Sequence, residues 1–337
     1  MNSSNTTSPG SSTVSITVYE IWIQLIVFYL IMGGFLSTTF SILICVGIWR
    51  RKELLTRFFI IVGCLSFTRA AIGMGSVVMV AFRSLRTVGI VSTNQRRIIC
   101  HSVHLLILNN LTAELGILCF LVIDRMIAIT WINYYRLLNT KSAFKICVIL
   151  YIGIALAKLV PSYMDDSLLG TVVCTNLYSF LSEGFNAYSA NVDLILVFVV
   201  LIFYCILIFY LKLRINAIKE AANRSEAGKV ALQRQLKLMP MLRNLVLMHC
   251  GLALMSKLFL WLANVLPQHQ QRLVFMGGNL QAVDLFANVV ALLITNADVR
   301  AAAIPFCLRN QVDVLEPSQS MKVQSISLVK VRASSQR

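Results

Sequence analysis

The sequence predicts an all-α membrane protein, a bundle of seven transmembrane helices with its N-terminus outside the cell and its C-terminus in the cytoplasm. Of the 337 residues, 58% are hydrophobic and only 13% are charged, whereas an average soluble chain carries about 25% charged residues. Long apolar runs recur along most of the chain, and Lys and Arg concentrate in alternate connections between them. These observations exclude a water-soluble protein.

Seven apolar segments are long enough to cross the bilayer, since a helix needs roughly 20 mainly apolar residues to span about 30 Å of hydrocarbon. Backbone polar groups find no water in lipid, so such runs form helices, whereas a barrel would show short alternating segments. The odd number of spans places the termini on opposite sides. The predicted spans cover residues 22–49, 58–82, 100–130, 143–160, 191–211, 244–266 and 275–295.

The distribution of Lys and Arg sets the orientation, because positively charged loops stay in the cytoplasm. Basic residues are dense at 50–57, 136–141, 212–243 and 300–337, which places these segments inside. The few basic residues on the opposite side are Arg83, Arg86, Arg96, Arg97 and Arg272. The net charge of +16 therefore reflects topology and contact with membrane lipid, and we expect no nucleic-acid partner.

The membrane domain, residues 22–295, is preceded by an extracellular tail, residues 1–21. The start of the tail lacks the basic and apolar regions of a cleaved signal peptide, so the first span must direct targeting. Asn2 and Asn5 each begin an Asn-x-Ser/Thr triplet and are predicted glycosylation sites.

The cytoplasmic segments have two predicted features. Residues 212–243 are basic and rich in Ala, Leu and Gln, so they are expected to extend the fifth and sixth helices. Their charge is interpreted either as a solvated run that sets topology or as a docking surface for a cytoplasmic partner, and the two interpretations are compatible. In the C-terminal segment, 296–337, we expect a short interfacial helix at 301–307 and then a disordered tail. Cys307 is either a palmitoylation site or an unmodified cysteine.

Five residues at the two ends of the bundle have a distinctive placement. Cys100 opens the third span and Cys174 lies in the second outer connection, so both face an oxidising compartment. Asp124 and Arg125 lie at the inner end of the third span, and Asn288 lies near the inner end of the seventh.

This pattern resembles the rhodopsin-like G-protein-coupled receptors. The resemblance implies a disulfide between Cys100 and Cys174. It also implies that Asp124 holds Arg125 in an inactive state until the arginine meets a heterotrimeric G protein. Asn288 matches the first residue of the family's Asn-Pro-x-x-Tyr pattern in helix seven.

Several family motifs are eroded. Val289 and Leu292 replace the Pro and Tyr of the helix-seven pattern, and the sixth span lacks the Cys-Trp-x-Pro motif. Such erosion, with Asp124 and Arg125 retained, is similar to the nematode serpentine chemoreceptors of the srsx and related classes. That similarity implies a chemosensory function at the plasma membrane, in the ciliary membrane of sensory cells.

Charged residues at mid-bilayer are rare and usually paired. Arg69 falls where the family's second helix carries a sodium-binding Asp. The resemblance therefore implies that a positive charge replaces the family's negative charge at this position. Glu114 lies about 16 Å along the third helix from Arg125, at 1.5 Å per residue, and Asp284 lies one turn before Asn288. We expect Arg69, Glu114 and Asp284 to form a cluster that replaces a metal site with an internal ion pair. The alternative is that Arg69 extends to the membrane interface and that Glu114 and Asp284 are unrelated to it.

Lys257 in the sixth span and Asp193 at the start of the fifth define a second charged region. Lys257 either anchors an acidic ligand, with Asp193 and the rim residue His104 nearby, or pairs without ligand contact. Lys158 is expected to reach the outer interface.

His101 and His104 supply two metal ligands without a third, which is weak evidence for a metal, so we expect neither a metal nor another cofactor.

The sequence contains no His-Glu-x-x-His, phosphate loop or Ser-centred elbow, so an enzyme is not expected. The favoured function is a receptor that couples binding of an extracellular small molecule or peptide to activation of a heterotrimeric G protein. The alternative is a seven-helix transporter or ion channel that uses the intramembrane charges. The sequence is compatible with both a monomer and a dimer.

Overall fold

The computed structural model describes residues 34–51, 55–87, 95–163, 171–172, 183–223 and 226–303, and these ranges are almost entirely helical. A 3-10 turn, Pro267–His269, precedes α8. The elements in chain order are α1 (Gly34–Arg50), α2 (Arg57–Thr87), β1 (Gln95–Arg96), α3 (Arg97–Thr130), α4 (Ile132–Leu137), α5 (Thr140–Tyr163), β2 (Thr171–Val172), α6 (Glu183–Asn223), α7 (Glu226–Val265), α8 (Gln270–Thr295) and α9 (Ala297–Ala303).

Seven of these helices correspond to the seven predicted spans. Within the described ranges, α2, α3, α5, α6 and α7 are long and apolar enough to cross a membrane. Two shorter apolar stretches, Gly34–Arg50 in α1 and Asn279–Thr295 in α8, complete the set. The remaining helices, α4 and α9, follow the third and the seventh spans. The predicted all-α bundle of seven helices is therefore confirmed.

The third span, α3, lies at the centre of the bundle, where it packs against α2, α5 and α6, while α7 packs most extensively on α8. Aliphatic side chains such as Ile44, Leu65, Leu118 and Leu245 fill the main core. The outer faces of α5, α6 and α7 expose many large apolar side chains. A helix that is apolar on all sides suits a membrane, because lipid covers the face that the core does not.

The fifth and sixth helices continue beyond their predicted spans, as expected from the composition of residues 212–243. The helix α6 contains 41 residues and continues to Asn223, and α7 contains 40 residues and begins at Glu226. Pro240 lies inside α7, where its ring removes one backbone hydrogen bond and favours a bend.

The short helix after the seventh span begins earlier than expected. It was predicted at 301–307, whereas α9 covers Ala297–Ala303. Asn296 is the reason, because its Oδ1 accepts hydrogen bonds from the backbone N–H groups of Asp298 at 2.9 Å and Val299 at 3.2 Å. Such an arrangement is an N-cap, and it starts the helix at the next residue.

Candidate functional site

Four side chains form a buried network at the cytoplasmic end of α3, here called the inner network: Arg57, Asp124, Arg125 and Tyr135. The Asp124 carboxylate accepts hydrogen bonds from Arg57 Nε at 3.0 Å, Arg125 Nη2 at 2.5 Å and the Tyr135 hydroxyl at 2.8 Å. Arg125 Nη2 also donates to the Tyr135 hydroxyl oxygen. Two guanidinium groups therefore share one carboxylate, although all three groups are nearly inaccessible to solvent.

Aromatic rings cover both guanidinium groups. Arg125 Cζ lies 4.8 Å from the ring centroid of Phe58 and 5.3 Å from that of Tyr135, and Arg57 Cζ lies 5.6 Å from the Tyr135 centroid. These distances are typical of cation–π contacts. Burial raises the pKa of the Tyr135 phenol, and the charge of Asp124 raises it further. The phenol therefore stays protonated and donates to Asp124.

Arg57 also has partners outside the inner network. Its Nη1 donates to the backbone oxygen of Asn139 at 2.9 Å and to Ser142 Oγ at 2.7 Å, which joins α2 to the start of α5. Removing one partner of a buried ion pair is costly because a charge is left uncompensated. Asp124 has two such partners, Arg57 and Arg125.

Five polar residues meet at mid-depth in the bundle and form the central cluster: Arg69, Glu114, His249, Asp284 and Asn288. Arg69 Nε donates to Glu114 Oε1. His249 Nδ1 lies 3.8 Å from that same oxygen and 2.8 Å from Asp284 Oδ2. Asn288 Nδ2 donates to Asp284 Oδ1 at 2.5 Å. The cluster therefore joins α2, α3, α7 and α8, with the histidine between the two acids.

The central cluster is buried but incompletely hydrogen-bonded. Arg69 is 0% exposed, yet its Nη1 and Nη2 atoms have no hydrogen-bond partner among the described residues, and the same holds for Glu114 Oε2, His249 Nε2 and Asn288 Oδ1. Buried groups of this kind are usually satisfied by internal water. The described residues contain no group of three or more His, Cys, Asp or Glu arranged to hold a metal ion.

Asp193 is the centre of a second buried group, the outer cluster, which also contains Thr112, Lys158, Ser189 and Lys257. Asp193 Oδ1 accepts from Lys158 Nζ at 3.1 Å and from Thr112 Oγ1, and Oδ2 accepts from Lys257 Nζ at 2.7 Å. Lys158 Nζ also donates to Ser189 Oγ at 2.9 Å. Lys158 is 1% exposed, so the expectation that it reaches the outer interface is wrong: Asp193 and Ser189 provide buried acceptors instead.

A small cavity of about 30 Å³ lies between the outer and central clusters. Such a volume has room for about two water molecules. It lies between α3, α6, α7 and α8, and its lining combines charged groups with aliphatic walls. The lining residues are Leu111, Leu115, Asp193, His249, Leu252, Ala253, Ser256, Lys257, Gln281 and Asp284.

The bundle is thus apolar outside and polar along its axis, with an internal cavity. The family model of the seven-transmembrane receptors of the rhodopsin family matches residues 40–293, from α1 to α8. The chain belongs to this family. It is therefore a multi-pass membrane protein of the receptor type. No curated protein matches the chain significantly.

Several predicted sites of the receptor lie outside the described residues: Asn2, Asn5, Cys174, Cys307 and the side chains of Cys100 and His104. Backbone pairing nevertheless brings two relevant segments together, because Gln95 pairs with Val172 and Arg96 with Thr171. These short strands precede Cys100 and Cys174 in sequence. The disulfide between them stays a prediction.

Residues that the motifs did not indicate contribute to each buried group of the receptor. They are Arg57 and Tyr135 in the inner network, His249 in the central cluster and Lys158 in the outer cluster. For His249 a signal is present in the sequence: it lies eight residues before Lys257 in α7, and residues seven or eight apart share one face of a helix. In the sequence, Arg57 is one of several loop charges and Lys158 is expected at the interface, and no motif distinguishes Tyr135.

Proposed function

We propose that this receptor is chemosensory and couples binding of an extracellular small molecule or peptide to activation of a heterotrimeric G protein. Family membership supports the receptor role, and the polar side chains that line the small cavity between α3, α6, α7 and α8 support a ligand site in this part of the bundle. The observation that carries the coupling step is the burial of Arg125 against Asp124 and Tyr135. The resemblance to nematode chemoreceptors supports the sensory role and a ciliary location.

Ligand binding acts on the bundle through the difference in affinity between two arrangements of the helices. Asp193 of α6 contacts Thr112 of α3, Lys158 of α5 and Lys257 of α7, so a ligand that alters these contacts changes how four helices pack. His249 transmits that change, since it lies on α7 beside acids of both α3 and α8.

The cytoplasmic end responds by releasing Arg125. In the active arrangement Arg125 leaves Asp124 and Tyr135, and Asp124 remains paired with Arg57. The released guanidinium then faces the G protein beside the basic extensions of α6 and α7. Because Arg57 stays in place, the buried carboxylate of Asp124 keeps a partner in the active arrangement, which lowers the cost of releasing Arg125.

The test is the substitution Asp124→Asn, which keeps the size of the side chain and removes its charge. We expect ligand-independent signalling through a promiscuous G protein to rise several-fold at matched surface expression. Asp298→Asn, at an exposed carboxylate in the first turn of α9, is the control and should behave as the parent. A well-folded Asp124→Asn receptor with unchanged basal and stimulated signalling contradicts the proposal.

A current measurement separates the receptor from a transporter or ion channel. Cells that express the Asp124→Asn variant without a G protein should show no membrane current above that of untransfected cells. A constitutive current carried by the variant would favour a conduction path through the intramembrane charges.

The unassigned extracellular and cytoplasmic sites complete the proposal. Glycans at Asn2 and Asn5 and a disulfide between Cys100 and Cys174 suit an exposed outer surface of the plasma membrane. Palmitoylation of Cys307 would anchor the segment after α9 to the inner leaflet.

A further inference from the structure

The central cluster contains two acidic side chains but only one side chain with a permanent positive charge. Glu114 and Asp284 are both buried, and Arg69 pairs with Glu114. An arginine stays charged in proteins, whereas a histidine gains or loses its proton near neutral pH. With a neutral His249, the cluster would hold one negative charge without a counterion. Such an uncompensated charge is costly in a buried site.

His249 is placed to supply the missing positive charge. Its Nδ1 atom lies 2.8 Å from Asp284 Oδ2 and 3.8 Å from Glu114 Oε1. A charged imidazole donates hydrogen bonds from both ring nitrogens. The Nε2 atom has no hydrogen-bond partner among the described residues, but His249 lines the small cavity, where a water molecule can accept from it. Both donors of an imidazolium can therefore be satisfied.

The other ionisable groups around the cavity are paired with each other or neutral. Asp193 of α6 and Lys257 of α7 also line the cavity, and their side chains pair at 2.7 Å. Lys158 of α5 contacts the other oxygen of the same carboxylate. The Cys250 thiol lies near both acids and near Cys119, and buried thiols behave as small apolar groups. The histidine is therefore the group in contact with an acid of the central cluster that can add a charge.

We propose that the central cluster binds one proton, held on His249 as an imidazolium between Asp284 and Glu114. With this proton the cluster contains two positive and two negative groups and is neutral. The imidazolium joins α7 to α3 and α8 through charge as well as through hydrogen bonding.

Loss of the proton would leave the two carboxylates with Arg69 as their single counterion. The repulsion between Glu114 and Asp284 would then separate α3 from α8 and displace α7 between them. We expect alkaline pH to favour the active arrangement for this reason. This effect on signalling rests on the proposed function, whereas the proton site itself is tested without a G protein.

Nuclear magnetic resonance of the purified full-length receptor in lipid nanodiscs tests the proton site, with isotope-labelled histidine as the probe. The nitrogen shifts distinguish an imidazolium from a neutral imidazole, and the chain contains four histidines. At about pH 8 an ordinary imidazole, with a pKa of about 6.5, is neutral. We expect an imidazolium signal at this pH that is absent from His249→Gln. His269→Gln, at an exposed position, is the matched control and should retain the signal.

Removing an acid tests the charge balance without changing the histidine. Glu114→Gln leaves Arg69 and Asp284 with equal and opposite charges, so His249 should be neutral at the same pH and the imidazolium signal should be lost. Glu220→Gln, at an exposed position of α6, is the control and should retain it.

A neutral His249 in the parent at about pH 8 would overturn the inference, because the lysines of the outer cluster would then supply the balancing charge across the cavity. An imidazolium that persists in Glu114→Gln would also overturn it. If His249→Gln fails to fold, the signals of the parent and of Glu114→Gln decide.

Nucleotide exchange by a purified G protein measures the effect on signalling. The exchange rate with the parent should rise as the imidazolium signal is lost at alkaline pH, whereas His249→Gln, which lacks the proton at every pH, should be equally active throughout. An imidazolium combined with an exchange rate that does not follow its loss would refute the effect on signalling. No change in signalling on Asp124→Asn would instead refute the receptor mechanism and leave the proton site standing.

Discussion

His249 Nδ1 lies 2.8 Å from Asp284 Oδ2, and this contact joins α7 to α8 in the middle of the bundle. The same nitrogen lies 3.8 Å from Glu114 Oε1, whose carboxylate pairs with Arg69. One imidazole ring therefore links two acids that would otherwise face each other across the bundle. Through it, a displacement of α7 reaches α3 and α8 directly.

Replacing His249 tests this bridging role. We expect His249→Leu to lower the free energy of unfolding by about 3–5 kcal/mol, the cost of leaving a buried charge without its partner. His249→Gln keeps a hydrogen-bond donor and should lose less. Thermal unfolding of the purified receptor measures both, and a Leu variant as stable as the parent would refute the bridge.

Arg69 occupies the position where the resemblance implies a sodium-binding acid, and its contact with Glu114 places a fixed positive charge there. A sodium ion would be repelled by that charge. We therefore expect the ligand response of the parent to be insensitive to sodium, and Arg69→Asp to become sensitive. Dose–response curves in sodium and in choline buffers make the comparison, and sodium sensitivity in the parent would rule out this role for Arg69.

Tyr135→Phe removes the hydroxyl that contacts both Asp124 and Arg125 but keeps the ring that covers the guanidinium groups. Hydrogen bonds to charged groups contribute about 1.5–3 kcal/mol, so the inactive arrangement should weaken and basal signalling should rise. The adjacent Tyr134 is 58% exposed, and Tyr134→Phe is the control. Equal basal signalling in the two variants would exclude Tyr135 from the switch.

The helices α1 and α2 approach closely at Gly73. A Cβ atom there would meet Thr38 Oγ1 and would lie 2.8 Å from the backbone oxygen of Gly34, whereas a Cβ at Gly153 would have nothing within 4 Å. Overpacking a buried contact typically costs about 1–3 kcal/mol. Gly73→Ala should therefore unfold at a lower temperature than the parent, and Gly153→Ala should be no less stable than the parent. A destabilisation of similar size at both positions would argue against close packing as the cause.

The fold followed from the sequence because the membrane leaves few options for an apolar run of about 20 residues. The same reasoning placed Arg69 near Glu114 and Lys257 near Asp193, since a buried charge needs a partner and few partners exist in a membrane. The structure brings both pairs together. Charge, depth and helical spacing were sufficient for these two contacts.

The remaining site residues depend on how helices and connections pack, which local spacing does not define. Tyr135 reaches Asp124 only because α3 ends and α4 turns back beside it. Arg57 resembles the neighbouring loop charges in sequence, and only the packing of α2 on α3 makes it a partner of Asp124. Lys158 was expected to reach the interface because it lies near the end of its span, yet Asp193 of the adjacent helix provides a closer acceptor.

The most direct test of the account measures guanine-nucleotide exchange by a purified heterotrimeric G protein in the presence of purified receptor. The comparison uses the parent, Asp124→Asn and Asp124→Asn combined with Arg125→Ala, each in nanodiscs without ligand. The account predicts faster exchange with Asp124→Asn than with the parent, and a return to the uncatalysed rate when Arg125 is also replaced. Equal exchange rates with all three receptors would contradict it.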